Sequence, residues 1–136
     1  MININISLAI ISSIMTLMFF LAGVDKIVNF TKVVTGFQRR LPGNLNITLC
    51  QFAILIAILI EIIAPVVIVY SFARDKHYEY AKYAIISLIL FTILATLMYH
   101  FPPTGRIYYP FISNVASVGG LMLLYLITSL SGINEK

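Results

Sequence analysis

One apolar segment constrains the fold of this chain more than any other. It runs from Thr48 to Tyr70, and its single formal charge is Glu61. A helix of about 23 residues, rising about 1.5 Å per residue, is longer than the roughly 30 Å hydrocarbon core of a bilayer. A carboxylate in the middle of a membrane span is costly and marks a candidate functional site. We therefore expect the rest of the chain to fold around Glu61 and to give it a polar environment.

The composition of the whole chain is that of a membrane protein. Of its 136 residues, 60% are hydrophobic and only 10% are charged, whereas a soluble domain carries roughly 25% charged residues. Apolar segments predict four transmembrane helices, at 6–28, 48–70, 80–101 and 110–130. The predicted fold is an all-α four-helix bundle in the lipid bilayer, formed by a single domain, residues 1–136. Four spans place both termini on one side, and the nearly even division of basic residues leaves the orientation open.

The segment between the first two spans has the pattern of an amphipathic helix. Apolar residues recur there at steps of three and four: Ile27, Phe30, Val33, Val34, Phe37 and Leu41. The basic residues of the segment, Lys32, Arg39 and Arg40, are expected to contact lipid head groups. The sequence therefore predicts a short helix at the membrane interface, and the alternative is a solvated loop.

Helical rise indicates which polar groups share a depth in the membrane. Asp25, Lys26, His100 and Asn114 are predicted to meet near the side opposite the termini. Glu61 lies deeper on this estimate, and a direct ion pair with Lys26 is predicted to be too long by about 10 Å. The expected arrangement is two polar layers, one of them containing Glu61.

Small residues and a proline are expected to shape the layer around Glu61. Gly119 and Gly120 fall at its predicted depth, and their missing side chains allow another helix to approach closely. Pro65 has no backbone N–H, so the carbonyl of Glu61 loses its usual helical partner.

Several classes of chemistry find no support in the sequence. It has no P-loop, GxGxxG or HExxH motif, and no metal site is predicted. Cys50 is the only cysteine, which excludes an intrachain disulfide. His77 and His100 fall at opposite ends of the third span, which argues against a haem held by two histidines. The net charge of +4 is spread between apolar spans and does not indicate nucleic-acid binding.

Four motifs, in order along nearly the whole chain, resemble the DoxX family of small four-helix membrane proteins. They are Gly23-x-x-Lys26 followed by Leu41-Pro42, then Glu61 before an aliphatic run to Val69, then His100, and finally Phe111-x-x-Asn114-x-Ala116-x-x-Gly119-Gly120. The family typically has glycine where this chain has Pro65. The resemblance implies a four-helix membrane fold. The residues themselves predict a ligand-binding or site-organising role for Glu61, Lys26, Asp25, His100 and Asn114, and a role in helix packing for Gly23.

Three functions are compatible with these features. The first is an accessory or assembly protein that binds a small amphiphile, a partner membrane subunit or a second copy of itself. The second, which the resemblance suggests, is the small subunit of a quinone-linked oxidoreductase. There Glu61 or His100 would exchange protons with a quinone, and Lys26 and Asn114 would bind its carbonyls. The third is a small proton-coupled carrier. We rank them in that order, and the second implies a quinone as cofactor.

Overall fold

The computed structural model describes residues 4–41 and 45–131, and within these ranges the chain is helical. The elements are α1 (Ile4–Val28), α2 (Phe30–Arg40), α3 (Ile47–Arg74), α4 (Tyr78–Tyr99) and α5 (Tyr108–Ser131), with a short 3-10 turn, Gly105–Ile107, before α5. The described ranges contain no β-strand. The predicted helical bundle is confirmed. Pro42, part of the Leu41-Pro42 motif, lies outside the described residues.

Four of the helices are long and apolar enough to cross a membrane. They are Ile6–Val28, Ile47–Arg74, Tyr78–Tyr99 and Gly105–Ser131, the last including the 3-10 turn. The second is the most apolar, with a mean hydropathy of 3.0. This is the organisation of a multi-pass integral membrane protein, as the composition predicted.

The predicted amphipathic helix between the first two spans exists as α2. The chain passes from α1 to α2 through Asn29, whose amide bonds to the carbonyl of Asp25 while its own carbonyl accepts from Val33. The apolar face of α2 packs against the start of α3, where Val34, Cys50, Ile54 and Ile58 form a buried cluster. The apolar face of α2 is therefore covered by protein, while its placement at the interface stays a prediction.

The main core lies where α1, α3, α4 and α5 pack together. Its largest fully buried side chains include Phe72, Ile68, Tyr78 and Leu88, with Leu121 and Leu124 contributed by α5. Consecutive long helices pack side by side: α1 contacts α3, α3 contacts α4, and α4 contacts α5. This order places the cavity described below between α3 and α4.

The connection between α3 and α4 is shorter than the sequence predicted. The predicted spans leave residues 71–79 as the connection, but α3 continues to Arg74 and α4 begins at Tyr78. Two aromatic side chains explain the difference, because Phe72 and Tyr78 are buried and pack edge to face with ring centroids 5.8 Å apart. The turn itself uses left-handed backbone at Asp75 and His77.

Buried hydroxyl groups in the bundle are satisfied within their own helices. The side chains of Thr16, Thr92, Thr96 and Thr128 each donate to the carbonyl four residues earlier, over 2.6 to 2.8 Å. Such local bonds let a hydroxyl sit in an apolar environment without a partner on another helix. These hydroxyls therefore do not require a ligand.

Candidate functional site

The charged centre of the bundle is an ion pair between α1 and α3. Lys26 Nζ donates to Glu61 Oε1 over 2.8 Å and lies 2.8 Å from Glu61 Oε2 as well. The carboxylate side chain is 4% exposed and the lysine side chain 22% exposed. The prediction that these two groups are too far apart to pair is therefore wrong.

The depth estimate failed because it assumed that the predicted spans begin and end at common levels. The first turns of α3 pack against α2 instead of α1. Glu61 therefore lies opposite the last turns of α1, where Gly23 is buried against it. A Cβ on Gly23 would stand 2.8 Å from Ile62 Cγ1 and 3.1 Å from Glu61 Cβ. Lys26 follows Gly23 by three residues on the same helix face, and its long side chain reaches the carboxylate.

The ion pair lies in the wall of a cavity of about 660 Å³ between α2, α3, α4 and the end of α1. Its polar lining comes from Asp25, Lys26, Glu61, Ser87, Tyr99 and His100. The rest of the lining is apolar or small: Val33, Phe37, Ala53, Ile54, Ala57, Ile60, Leu90, Phe91, Leu94, Ala95 and Met98. The cavity therefore combines a long apolar wall with a small group of polar side chains.

Two buried polar atoms in this lining have no hydrogen-bond partner in the described part of the chain. They are Glu61 Oε2, whose close contact is the ionic one with Lys26, and His100 Nδ1. Buried polar atoms are normally bonded, and one left unsatisfied costs about 1–3 kcal/mol. Because Glu61 Oε2 lies 2.8 Å from the Lys26 ammonium, His100 Nδ1 is the atom of the two that has no polar contact within the described residues.

Asp25 and His100 line the same cavity from different helix ends. Asp25 lies in the last turn of α1, is exposed, and accepts a hydrogen bond from Asn29 Nδ2 over 2.8 Å. His100 caps the C-terminus of α4, and its amide bonds to the carbonyl of Thr96. The predicted grouping of Asp25, Lys26 and His100 thus appears in the structure, with Glu61 added to it.

Arg40 has a protein partner at the edge of the cavity. It donates to the carbonyl of Tyr99 over 3.4 Å, and its guanidinium carbon lies 4.5 Å from the centroid of that ring. Phe37 stacks on the same ring with centroids 6.4 Å apart. Arg40 therefore connects the end of α2 to the end of α4, and it is exposed, as are Lys32 and Arg39, which were grouped with it as lipid contacts.

Asn114 lies outside this cavity, contrary to the predicted layer. Its Nδ2 donates to Thr96 Oγ1 over 2.9 Å, and it lines a separate groove between α4 and α5. Its position in the sequence is one turn into α5, but α5 packs on a different face of α4 from the one that lines the cavity. Asn114 therefore joins these two helices and does not reach the ion pair.

The glycine pair of α5 is also remote from Glu61. A Cβ on Gly120 would meet Met15 Cε at 2.7 Å, while one on Gly119 would meet nothing within 4 Å. Met15 is roughly 12 Å along α1 from Gly23, the neighbour of Glu61. The prediction that these glycines share the level of Glu61 is wrong. Pro65 is buried inside α3, which continues through it.

Sequence reasoning missed the contribution of α4 to the site. Ser87, Phe91, Leu94 and Met98 line the cavity and follow one another at steps of four, three and four. This spacing marks one helix face and was a usable signal. The contact of Tyr99 with α2 carried no such signal, because it depends on how two distant helix ends meet.

These features define an integral membrane protein with a buried ion pair beside an apolar cavity. The described residues contain no group of three or more histidine, cysteine or acidic side chains placed to hold a metal ion. Comparison with protein-family models, curated proteins and solved structures gives no match. The function must therefore be argued from the cavity itself.

Proposed function

We propose that this chain is a membrane-embedded protein that binds a small amphiphile and serves a membrane assembly as an accessory subunit. The observation that carries the proposal is one largely apolar cavity whose lining contains Glu61 Oε2, ion-paired with Lys26, and His100 Nδ1, which has no hydrogen-bond partner in the described residues. A polar head bonded to these atoms, with an apolar body along the remaining wall, would match the lining. Binding is the activity this supports, and we assign no reaction.

The dimensions of the cavity suit such a ligand. Sites for small molecules are typically about 300–1,000 Å³, mainly apolar, with a few polar groups that fix orientation. The cavity of about 660 Å³ falls within that range, and its polar groups belong to this orienting class. An amphiphile of moderate size is therefore a better match than a large phospholipid.

The position of the cavity suggests that the ligand enters from the bilayer. Leu90 and Leu94 line it and are 59% and 58% exposed, so the cavity is open along α4. Because α4 is long and apolar enough to span a membrane, this opening would face lipid tails. An apolar chain could then reach the cavity without crossing water.

The resemblance to the DoxX family is compatible with this proposal. Three of the motif residues that carry it, Lys26, Glu61 and His100, line the cavity together. A fourth, Gly23, allows the close approach that brings Lys26 to Glu61. Membership of that family is part of the proposal, and the α5 motif residues Asn114, Gly119 and Gly120 lie outside the cavity.

The quinone-linked alternative fits the site less well. It relied on Lys26 and Asn114 to bind the carbonyl oxygens of a quinone. The ammonium of Lys26 is engaged by Glu61, and Asn114 is bonded to Thr96 outside the cavity. The residues present do not form the predicted carbonyl-binding set, so we derive no step through a quinone.

A lipid inventory of the purified protein tests the proposal. The wild type and an Ala95→Phe variant would be purified in mild detergent, and bound small molecules would be extracted and identified by mass spectrometry. Ala95 lines the cavity and is only partly buried, so the larger ring would occupy ligand volume without replacing a core residue. We expect an amphiphile at near-stoichiometric amount in the wild type and its loss from Ala95→Phe.

An Ala116→Phe variant is the matched control. Ala116 is exposed on α5 and lies outside the cavity, so this variant should retain the ligand. Equal lipid content in all three proteins, with all three folded by circular dichroism, would contradict the proposal.

A further inference from the structure

The charges around the cavity restrict which head group it accepts. Lys26 and Glu61 neutralise each other at 2.8 Å, and Asp25 adds a negative charge to the lining. The guanidinium of Arg40 is bound to the carbonyl and ring of Tyr99 and does not line the cavity. An anionic head would therefore meet two carboxylates and a cation that is already paired.

A cationic head meets the opposite difficulty. The acceptor it would approach, Glu61 Oε2, lies 2.8 Å from the ammonium of Lys26. A second cation at the same carboxylate would be repelled by Lys26 and would lose its hydration in a mainly apolar cavity. The remaining class is an uncharged head.

Glu61 Oε2 and His100 Nδ1 indicate which uncharged group fits best. Glu61 Oε2, beside the Lys26 ammonium, can only accept hydrogen bonds in its carboxylate form, so a head group that approaches it must bring a donor. His100 Nδ1 accepts in one tautomer of imidazole and donates in the other. A hydroxyl group both donates and accepts, so it satisfies Glu61 and matches either tautomer of His100.

We infer that the ligand is an uncharged amphiphile with hydroxyl groups in its head. This inference rests on the proposed binding function and adds to it the chemical class of the ligand. Amphiphiles with a carboxylate, phosphate or ammonium head are excluded by the charges of Lys26, Glu61 and Asp25. Ethers that lack a donor are excluded by Glu61.

A competition experiment with matched chains tests this inference. The full-length protein in uncharged detergent would be incubated with radiolabelled 1-O-tetradecylglycerol. Four unlabelled competitors would follow: the same compound, its di-O-methyl ether, tetradecanoate and tetradecyltrimethylammonium. We expect the hydroxyl compound to compete at least about 10-fold better than its ether, because a buried carboxylate oxygen favours a ligand that brings a hydrogen-bond donor. The two charged competitors should also be weaker by about 10-fold or more.

A variant locates the selectivity at the carboxylate. Glu61→Gln keeps the shape of the side chain, and hydrogen bonds to a neutral group are weaker than those to a charged one. The preference for the hydroxyl compound over its ether should therefore fall in Glu61→Gln, whereas Glu79→Gln, at an exposed ion pair on α4, should leave it unchanged. The wild-type competition decides the question even if Glu61→Gln fails to fold.

The possible results distinguish a failure of this inference from a failure of the proposed binding function. Equal competition by the hydroxyl compound and its ether, or best competition by tetradecanoate or by the ammonium compound, would overturn the inference while leaving amphiphile binding intact. Absence of saturable binding by every probe would overturn the proposed function itself. Selective competition by the hydroxyl compound supports both.

Discussion

Removing the lysine that pairs with the buried Glu61 should destabilise the protein far more than removing a lysine whose carboxylate partner is exposed. In Lys26→Met the carboxylate of Glu61, whose side chain is 4% exposed, loses its cation. Breaking a buried pair by removing one partner typically costs about 3–5 kcal/mol, because a charge is left uncompensated. We expect a loss of that size in the free energy of unfolding.

The reverse change should cost less, because the two side chains differ in exposure. In Glu61→Gln the group left unpaired is the ammonium of Lys26, whose side chain is 22% exposed. Its flexible stem can carry the charge toward more polar surroundings, so we expect about 1–3 kcal/mol. The double variant Lys26→Met/Glu61→Gln contains no unpaired charge and should be more stable than Lys26→Met alone.

The matched control is Lys82→Met on α4. Lys82 Nζ also lies 2.8 Å from a carboxylate oxygen, but its partner Glu79 is 65% exposed. Exposed pairs contribute about 0–1 kcal/mol, so this variant should stay close to the wild type. The free energies of unfolding of all four variants would be measured by titrating mixed micelles with dodecyl sulfate and following the far-ultraviolet circular dichroism. The prediction is wrong if Lys26→Met loses no more free energy of unfolding than Lys82→Met. It is also wrong if the loss in the double variant equals the sum of the two single losses.

Three further predictions use the same unfolding assay. Gly23→Ala should destabilise by about 1–3 kcal/mol, because its Cβ would lie 2.8 Å from Ile62 Cγ1 in packed surroundings. Gly36→Ala should be neutral or stabilise by about 0.5–1 kcal/mol, because that helical position has nothing within 4 Å; the reverse order of the two glycine variants would contradict both predictions. Thr96→Val should cost about 0.6 kcal/mol through the lost bond from Asn114 between α4 and α5, and an unchanged stability would argue that this bond contributes nothing.

Much of the fold follows from apolar length alone. Residues 48–70 are too long and too apolar for a soluble domain, and the helix found there, Ile47–Arg74, extends the predicted span at both ends. The helix ends were harder to predict because polar and aromatic residues such as Phe72 and Tyr78 are ambiguous. Their burial depends on each other and appears only when α3 and α4 pack.

The candidate site was predictable in its members but not in its geometry. Lys26, Glu61 and His100 were chosen because polar groups in apolar spans need partners, and all three line one cavity. Their relative depth depends on how far α3 extends beyond α1. This offset is set by the packing of the two helices and cannot be read from the sequence of either one. Asn114 was misplaced for the same reason, since the face on which α5 packs decides its partner.

A tryptophan reporter tests directly whether an uncharged amphiphile occupies the cavity. The chain contains no tryptophan, so a single introduced indole gives a signal from one known position. Phe91→Trp would place it in the cavity lining, and Phe52→Trp would place it on the outer surface of α3, where the native side chain is 61% exposed. Both variants would be reconstituted in bilayers and titrated with a chain-brominated alkylglycerol, a quencher of indole fluorescence.

The two variants should give different quenching curves. Phe91→Trp should be quenched saturably at a low fraction of the brominated compound, and unbrominated alkylglycerol should reverse the effect. Phe52→Trp should be quenched only in proportion to the brominated fraction of the bilayer. Identical, non-saturating curves for the two variants would contradict the claim that the cavity beside Lys26 and Glu61 binds a ligand.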